Sequence, residues 1–251
     1  MIWRNTFYWG EFGHFNACVL RRIEMYIDKF PDRQLSIATY RDYFAIVAHL
    51  FPGKCIYDNS GTPPPSSQRR RYGPGQSPML GCPSGIHVPL FEHLVNQLHT
   101  DTDRMPLERP ITIEPLSAIR PFISICCRNR PQGEDRQCSR HEWLNILELV
   151  VSLTTRPLVF HGLPKETFKF TPSGSILCKN IYESVSYLNK SVVLVTSMTG
   201  FAQFAANCVC NTLQIGPLHY FFPYHPFGTQ SLQVDQYYLE CLKCTLQKLD
   251  V

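Results

Sequence analysis

Between Ser191 and Val234 the chain carries no aspartate, glutamate, lysine or arginine. Any anion met along this stretch must be held by backbone N–H groups, hydroxyls and helix dipoles. Strong net charge is lacking too: 24 Lys and Arg against 20 Asp and Glu give a formal +4. That balance suits anionic small ligands and is too weak for nucleic acid, for which only the Arg69–Arg71 run speaks. No apolar run is long enough for a membrane span, because Gln203, Asn207, Asn211, Gln214 and Gly216-Pro217 interrupt the uncharged stretch. Residues 1–9 are aromatic, broken by Arg4 and too short for a secretory leader. The cysteine count is odd, eleven, and many of them (Cys126, Cys127, Cys178, Cys208) sit inside apolar runs. Reduced, core-packed thiols in a soluble cytoplasmic protein are expected, not a disulfide framework. Cys208-x-Cys210 and Cys241-x-x-Cys244 have spacings that a zinc site could use, but both pairs lie in segments that read as packing, and no metal is expected. No internal repeat is visible.

What is present is globular: 251 residues, 44% hydrophobic and 12% aromatic, enough for one large domain or two small ones. The chain is organised around Ser191–Pro217. Val192–Val195 reads as a strand buried on both faces. Thr196-Ser197-Met198-Thr199-Gly200 supplies small hydroxyl residues and a glycine where a helix should start, and Phe201, Phe204, Ala205 and Cys208 follow at helical spacing. Leu213 and Ile215 make a second strand, stopped by Gly216-Pro217. A strand feeding such a helix start aims free N–H groups at one spot beyond the strand's carboxyl end, a seat for a diphosphate. The same pattern also suits an ordinary buried β-α-β unit with a Ser/Thr N-cap.

The remainder alternates strand and helix. Strands are expected at Thr6–Trp9, Leu35–Tyr40, Lys54–Tyr57, Phe122–Cys126 and Leu158–Phe160. Helices are expected at about Asn16–Lys29, Asp42–Leu50, Val88–His99, Ser139–Leu153, Asn180–Leu188 and Val234–Leu249. This alternation predicts parallel, doubly wound sheets. Residues 59–89, rich in Pro, Ser and Arg, read as an irregular segment. The expected division is an N-terminal domain over 1–118, a second over 119–228, and a C-terminal helix over 229–251.

Three places resemble the GT-B glycosyltransferases, in the style of the heptosyltransferase-like (ADP-heptose transferase) group. Gly10-Glu11-Phe12-Gly13-His14 resembles the glycine-rich first turn of the acceptor half. Phe122–Trp143, with its arginine-rich turn and early Trp, resembles the opening of the donor half. Val193–Pro217 resembles the last β-α-β, where a Thr/Ser-Gly turn receives the nucleotide diphosphate. The resemblance implies an α/β GT-B fold, two Rossmann-like domains with parallel sheets facing across a cleft, and a nucleotide-sugar donor held mostly by the C-terminal half. It further implies metal-independent, inverting transfer to a glycan or other hydroxyl acceptor, with no separate cofactor.

Such transfer needs cations or oriented N–H groups where charge grows on the departing diphosphate, and a base for the acceptor's proton. The diphosphate candidates are Ser197, Met198, Thr199 and Gly200 at the helix start, with Arg128 and Arg130 from the arginine-rich turn. His161 and Gly162 are candidates for the base or ribose, and Gln203 for a phosphate or the sugar. For the catalytic base the candidates are Glu11 and His14, the latter standing where the family has an acidic residue. The alternative is a catalytically degenerate nucleotide- or sugar-binding module of the same fold. A dehydrogenase fits less well: Gly10-x-x-Gly13 falls short of the G-x-G-x-x-G fingerprint, and no acid follows the second strand at Tyr40.

Overall fold

A computed structural model describes residues 2–8, 15, 19–59, 107–114, 121–128, 138–162, 174–197, 199–216, 231–234 and 237–249. The expectations for residues 10–14 and 59–89, apart from Asn59 itself, and for the helix at Val88–His99 lie outside them. The chain divides into two compact units, Met1–Glu108 and Arg109–Val251.

In the first unit, β1 (Ile2–Tyr8), α1 (Leu20–Lys29), β2 (Gln34–Thr39), α2 (Arg41–Leu50) and β3 (Cys55–Tyr57) follow one another. The strands pair in parallel in the order β1-β2-β3. Leu20, Ile23 and Ile27, one face of α1 by their spacing, are all buried. Glu24 lies on that buried side, so its charge must be met. Its Oε2 accepts from Arg21 Nη1 at 2.7 Å and from the Glu108 backbone N–H at 2.9 Å, while Arg21 Nη2 also reaches the Glu108 carboxylate. The network ties the last residue of the unit to its first described helix.

The second unit begins with its own tie: Ile111 N–H donates to the Asn207 carbonyl at 2.7 Å, and Asn189 Nδ2 donates to the Ile113 carbonyl at 3.0 Å. Its elements are β4 (Phe122–Cys126), α3 (Arg140–Leu153), β5 (Leu158–Phe160), β6 (Ile176–Leu177), α4 (Ile181–Leu188), β7 (Ser191–Ser197), α5 (Gly200–Asn207), β8 (Asn211–Ile215), β9 (Ser231–Val234) and α6 (Tyr238–Lys248). The strands form one parallel sheet in the order β6-β5-β4-β7-β8-β9. Renumbered within the unit, this is the doubly wound order 3-2-1-4-5-6.

Strand alternation sorts the two faces. Ile123, Ile125, Val193, Val195, Leu213 and Ile215 join Trp143, Ile146 and Val150 of α3 and Leu242 and Leu246 of α6 in one core cluster. Phe122 and Val159 point the other way, onto Tyr187 of α4, and α5 packs on β7 and β8. α3 starts at a full capping box: Ser139 Oγ accepts from Glu142 N–H at 3.2 Å, and Glu142 Oε2 accepts from Ser139 N–H at 2.6 Å.

Three strands depart from the expectations. β1 begins at Ile2, four residues before the expected Thr6. β6 is only two residues long, too short to show a pattern. β9 occupies Ser231–Val234, so the last helix starts at Tyr238 and not at Val234. Val234, Tyr238 and Leu242 follow a helical spacing that runs on into the strand, which hides the boundary. Cys208 and Cys210 are wholly buried, whereas Cys244 is exposed. Burial is the chief cause pushing the Cys138, Cys178 and Cys210 thiols up to about 12.

Between α5 and β8, Val209 holds a left-handed backbone at φ 56° with its side chain largely exposed. A β-branched residue is strained there by about 1–2 kcal/mol. Val209→Asn is expected to raise unfolding stability by about 1 kcal/mol, because Asn tolerates this conformation and little burial is lost. Ser139→Ala should lower it by about 1 kcal/mol through loss of the cap. Urea unfolding with both variants checks the two signs.

Candidate functional site

β4 and β7 are neighbours in the sheet, yet the chain leaves β4 for α3 on one face and leaves β7 for α5 on the other. Where adjacent strands send their connections to opposite faces, a crevice opens beyond the carboxyl ends, the usual ligand position of a doubly wound sheet. Several sequence candidates gather around it. Arg128 follows β4 by two residues and is half-buried. Ser197 is the last residue of β7, Thr199 the N-cap of α5 and Gly200 its first residue.

The turn after β7 is shaped by its own hydroxyls. Thr199 Oγ1 accepts from Phe201 N–H at 3.2 Å, the N-cap bond, and pairs with Thr196 Oγ1 at 3.1 Å. Thr196 Oγ1 also donates to the Ser197 carbonyl at 2.8 Å. The Thr199 hydroxyl is thus engaged within the turn. Among the described residues the amides of Thr199 and Gly200 meet no acceptor, at the positive end of the α5 dipole. Ser197 is fully buried, and among the described residues its hydroxyl has no hydrogen-bond partner.

At the next strand end, His161 is buried and both ring nitrogens face protein groups. Nε2 lies 2.7 Å from Ser124 Oγ, and Nδ1 lies 3.7 Å from Cys178 Sγ. Ser124 Oγ pairs with Ser191 Oγ, which donates to the Tyr187 carbonyl at 3.0 Å. With Ser191 donating to a carbonyl, each hydroxyl upstream donates in turn, so Nε2 carries the proton and Nδ1 accepts from the thiol. The imidazole is neutral: desolvation lowers its pKa to about 3. The ring also lies 5.5 Å from that of Phe201 in α5. Gly162 follows at φ 111°, a left-handed backbone that favours glycine.

The fold therefore brings Arg128, Ser197, Thr199 and Gly200 to adjacent strand ends and sets His161 and Gly162 one strand away. Gln203 lies within α5, its side chain outside the described residues. Glu11, His14, Arg130 and Met198 are outside them altogether. Sequence reasoning missed Ser124 and Cys178 as partners of His161, and Ser191 as the partner of Ser124. A serine in the middle of the apolar run Phe122–Cys126 was the available signal. Among the described residues no group of three or more His, Cys, Asp or Glu could hold a metal ion, and no helix is long and apolar enough to cross a membrane.

No family model and no curated protein sequence matches the chain. Solved structures do. The chain is similar to the E. coli ADP-heptose LPS heptosyltransferase II over 99% of its own length and 100% of that chain, at 11% identity and a TM-score of 0.62. It is similar to the heptosyltransferase TibC of enterotoxigenic E. coli, solved in complex with ADP-D-beta-D-heptose, over 99% and 76%, at 14% identity and 0.56. A glycosyl transferase family 9 protein from Veillonella parvula matches over 99% and 96%, at 12% identity and 0.55. At these identities the likeness defines a fold. The chain has the α/β GT-B fold, with two parallel sheets. Its whole-chain structural matches include heptosyltransferases and the family 9 glycosyl transferase.

The buried neutral histidine fixes a pH response. Its folded pKa lies below the ordinary 6.5, so between about pH 6.5 and 3 the unfolded chain binds one more proton than the folded one. The stability that His161 contributes is fully present above pH 6.5 and is lost as pH falls through this window. His161→Gln is expected to remove about one proton from the pH slope of unfolding free energy in that range, measured by urea titration at several pH values.

Proposed function

We propose that the chain is a glycosyltransferase that moves a sugar from a nucleotide-sugar donor to an acceptor hydroxyl, with the donor's diphosphate at the carboxyl ends of β4 and β7. The observation that carries this reading is the pairing, at one crevice, of acceptor-free amides at Thr199 and Gly200 with the Arg128 guanidinium. The amides are donor-only and the guanidinium is positive, and the stretch from Ser191 to Val234 carries no carboxylate. Arg130, Met198, Gln203 and the His161-Gly162 strand end complete the proposed donor site.

In the reaction the acceptor oxygen attacks the anomeric carbon and its proton passes to a base, for which Glu11 and His14 are the candidates. The bond from that carbon to the diphosphate oxygen breaks, and its electron pair leaves on the diphosphate. Fixed N–H dipoles and an arginine meet the growing negative charge without reorganising, so transfer proceeds in one inverting displacement without a metal. TibC was solved with ADP-D-beta-D-heptose, which makes ADP-linked sugars the first donors to try. A dinucleotide reading is opposed by the topology. The second strand of this doubly wound order is β5, and it ends in Phe160-His161-Gly162, with no acid for a ribose.

Calorimetric titration with ADP, UDP, GDP and their sugar conjugates, with and without EDTA, tests the reading. Micromolar binding of one nucleotide, indifferent to EDTA, is expected. Arg128→Ala should weaken it about 10- to 100-fold, the loss of one charge-assisted contact. Silence from every nucleotide would sink the donor site. Binding without transfer to any hydroxyl acceptor would favour the degenerate module, which His14 in place of the family's acid supports.

A further inference from the structure

Among the described residues at this end of the second sheet, the fully buried Ser197 hydroxyl and Trp143 indole N–H have no hydrogen-bond partner. An orphaned donor in a core is destabilising, so two of them on one face and at one edge call for an acceptor. Val193 and Val195 point into the cluster that holds Trp143, Cys127 and Cys138, and strand alternation places the Ser197 side chain on that same face. Ser197 is the final residue of β7, at its carboxyl edge. Trp143 is the fourth residue of α3, a helix that starts at this same edge and runs back along the sheet. Both donors therefore lie on the α3 side of the β4–β7 crevice, opposite the α5 amides.

We propose that Trp143 is a ligand-binding residue: its indole N–H, together with the Ser197 hydroxyl, donates to a phosphate oxygen of an anion seated in the crevice. The inference rests on the donor site proposed above and adds a second wall to it. The α5 amides and Arg128 supply charge and dipole, while Trp143 and Ser197 supply two neutral donors from the other face. The ligand class is a diphosphate, free or carried by a nucleoside. Neither donor offers a positive charge, so binding here selects for an oxygen acceptor at short range and not for an anion in general.

The test uses the full chain labelled with 15N at the indole nitrogens. The sequence holds three tryptophans, Trp3, Trp9 and Trp143, and Trp143→Phe identifies the third resonance by its absence. ADP, UDP, GDP and inorganic pyrophosphate are titrated in turn. A downfield shift of the Trp143 indole proton with pyrophosphate and with the nucleotide that binds is expected. Replacing Trp143 by benzothienylalanine, which keeps the shape and removes only the N–H, should weaken binding about tenfold, the loss of one hydrogen bond. The same replacement should leave the melting temperature of the ligand-free protein unchanged or higher, since an orphaned donor is removed. A structural hydrogen bond would give the opposite. If a nucleotide binds while the Trp143 resonance stays still and the benzothienyl variant binds as well as the wild type, the inference falls and the donor reading stands. If pyrophosphate shifts the resonance and no nucleotide binds, the anion site stands and the transferase reading falls. If nothing binds, both fall.

Discussion

Five consecutive residues buried on both faces, Phe122 to Cys126, have few physical solutions. Such a strand must be paired on both edges and covered above and below. Here β5 and β7 take the edges in parallel, and parallel pairing obliges each connection to cross over a face. One connection goes up and the other down, so the crevice between β4 and β7 follows from the burial of this one strand. Ser124 sits in the middle of it and must be satisfied without water. The chain from Cys178 through His161, Ser124 and Ser191 to the Tyr187 carbonyl does that with neutral groups alone. It joins β4, β5, β7 and α4 by hydrogen bonds that leave no ion to desolvate.

The same economy governs the crevice. A stretch free of charged side chains supplies β7, α5, β8 and β9. Its polar capacity lies in backbone amides and hydroxyls, and much of the hydroxyl capacity is engaged locally. Thr199 caps α5 and Thr196 bonds the Ser197 carbonyl. Among the described residues, what is left over for a ligand is narrow: two amides, one buried hydroxyl and one indole N–H. All of these are donors, so an acceptor-rich, anionic ligand is the one that matches them.

How much of this was legible in the chain depends on the range of the forces involved. Phe122–Cys126 and Leu158–Phe160 are bounded apolar runs, and the expected limits match those observed. Ser139 with Glu142 announces the start of α3 three residues apart. β9 was hidden because Val234, Tyr238 and Leu242 also satisfy a helical spacing, and only pairing with β8 decides for a strand. At the site, the order of strand, turn and helix marks where Arg128, Ser197 and Thr199 fall. It cannot show that His161 directs both nitrogens into the core. That outcome depends on residues 37 and 17 positions away in sequence, Ser124 and Cys178, and on the sheet that brings them together.

Among the described residues of the second unit, local rules are broken at Val209 and Tyr237, which hold left-handed backbones, and at Ser197 and Trp143, whose buried polar atoms meet no partner. Val209 holds a left-handed backbone that its β-branched side chain resists. Yet it lies on the return from α5 to β8, at the amino edge of the sheet, where doubly wound sheets do not bind ligands. Its strain is a cost of closing a short connection before Cys210, whose N–H bonds the Ala205 carbonyl at 3.0 Å. Ser197 and Trp143 break a different rule, leaving buried donors unmatched, and they do so at the carboxyl edge beside the switch in winding. An orphaned donor there is destabilising until an acceptor arrives, and the acceptor-free amides of Thr199 and Gly200 sit at the same edge. Unmatched donors converging from both faces of one sheet are what separates a site from a strained turn.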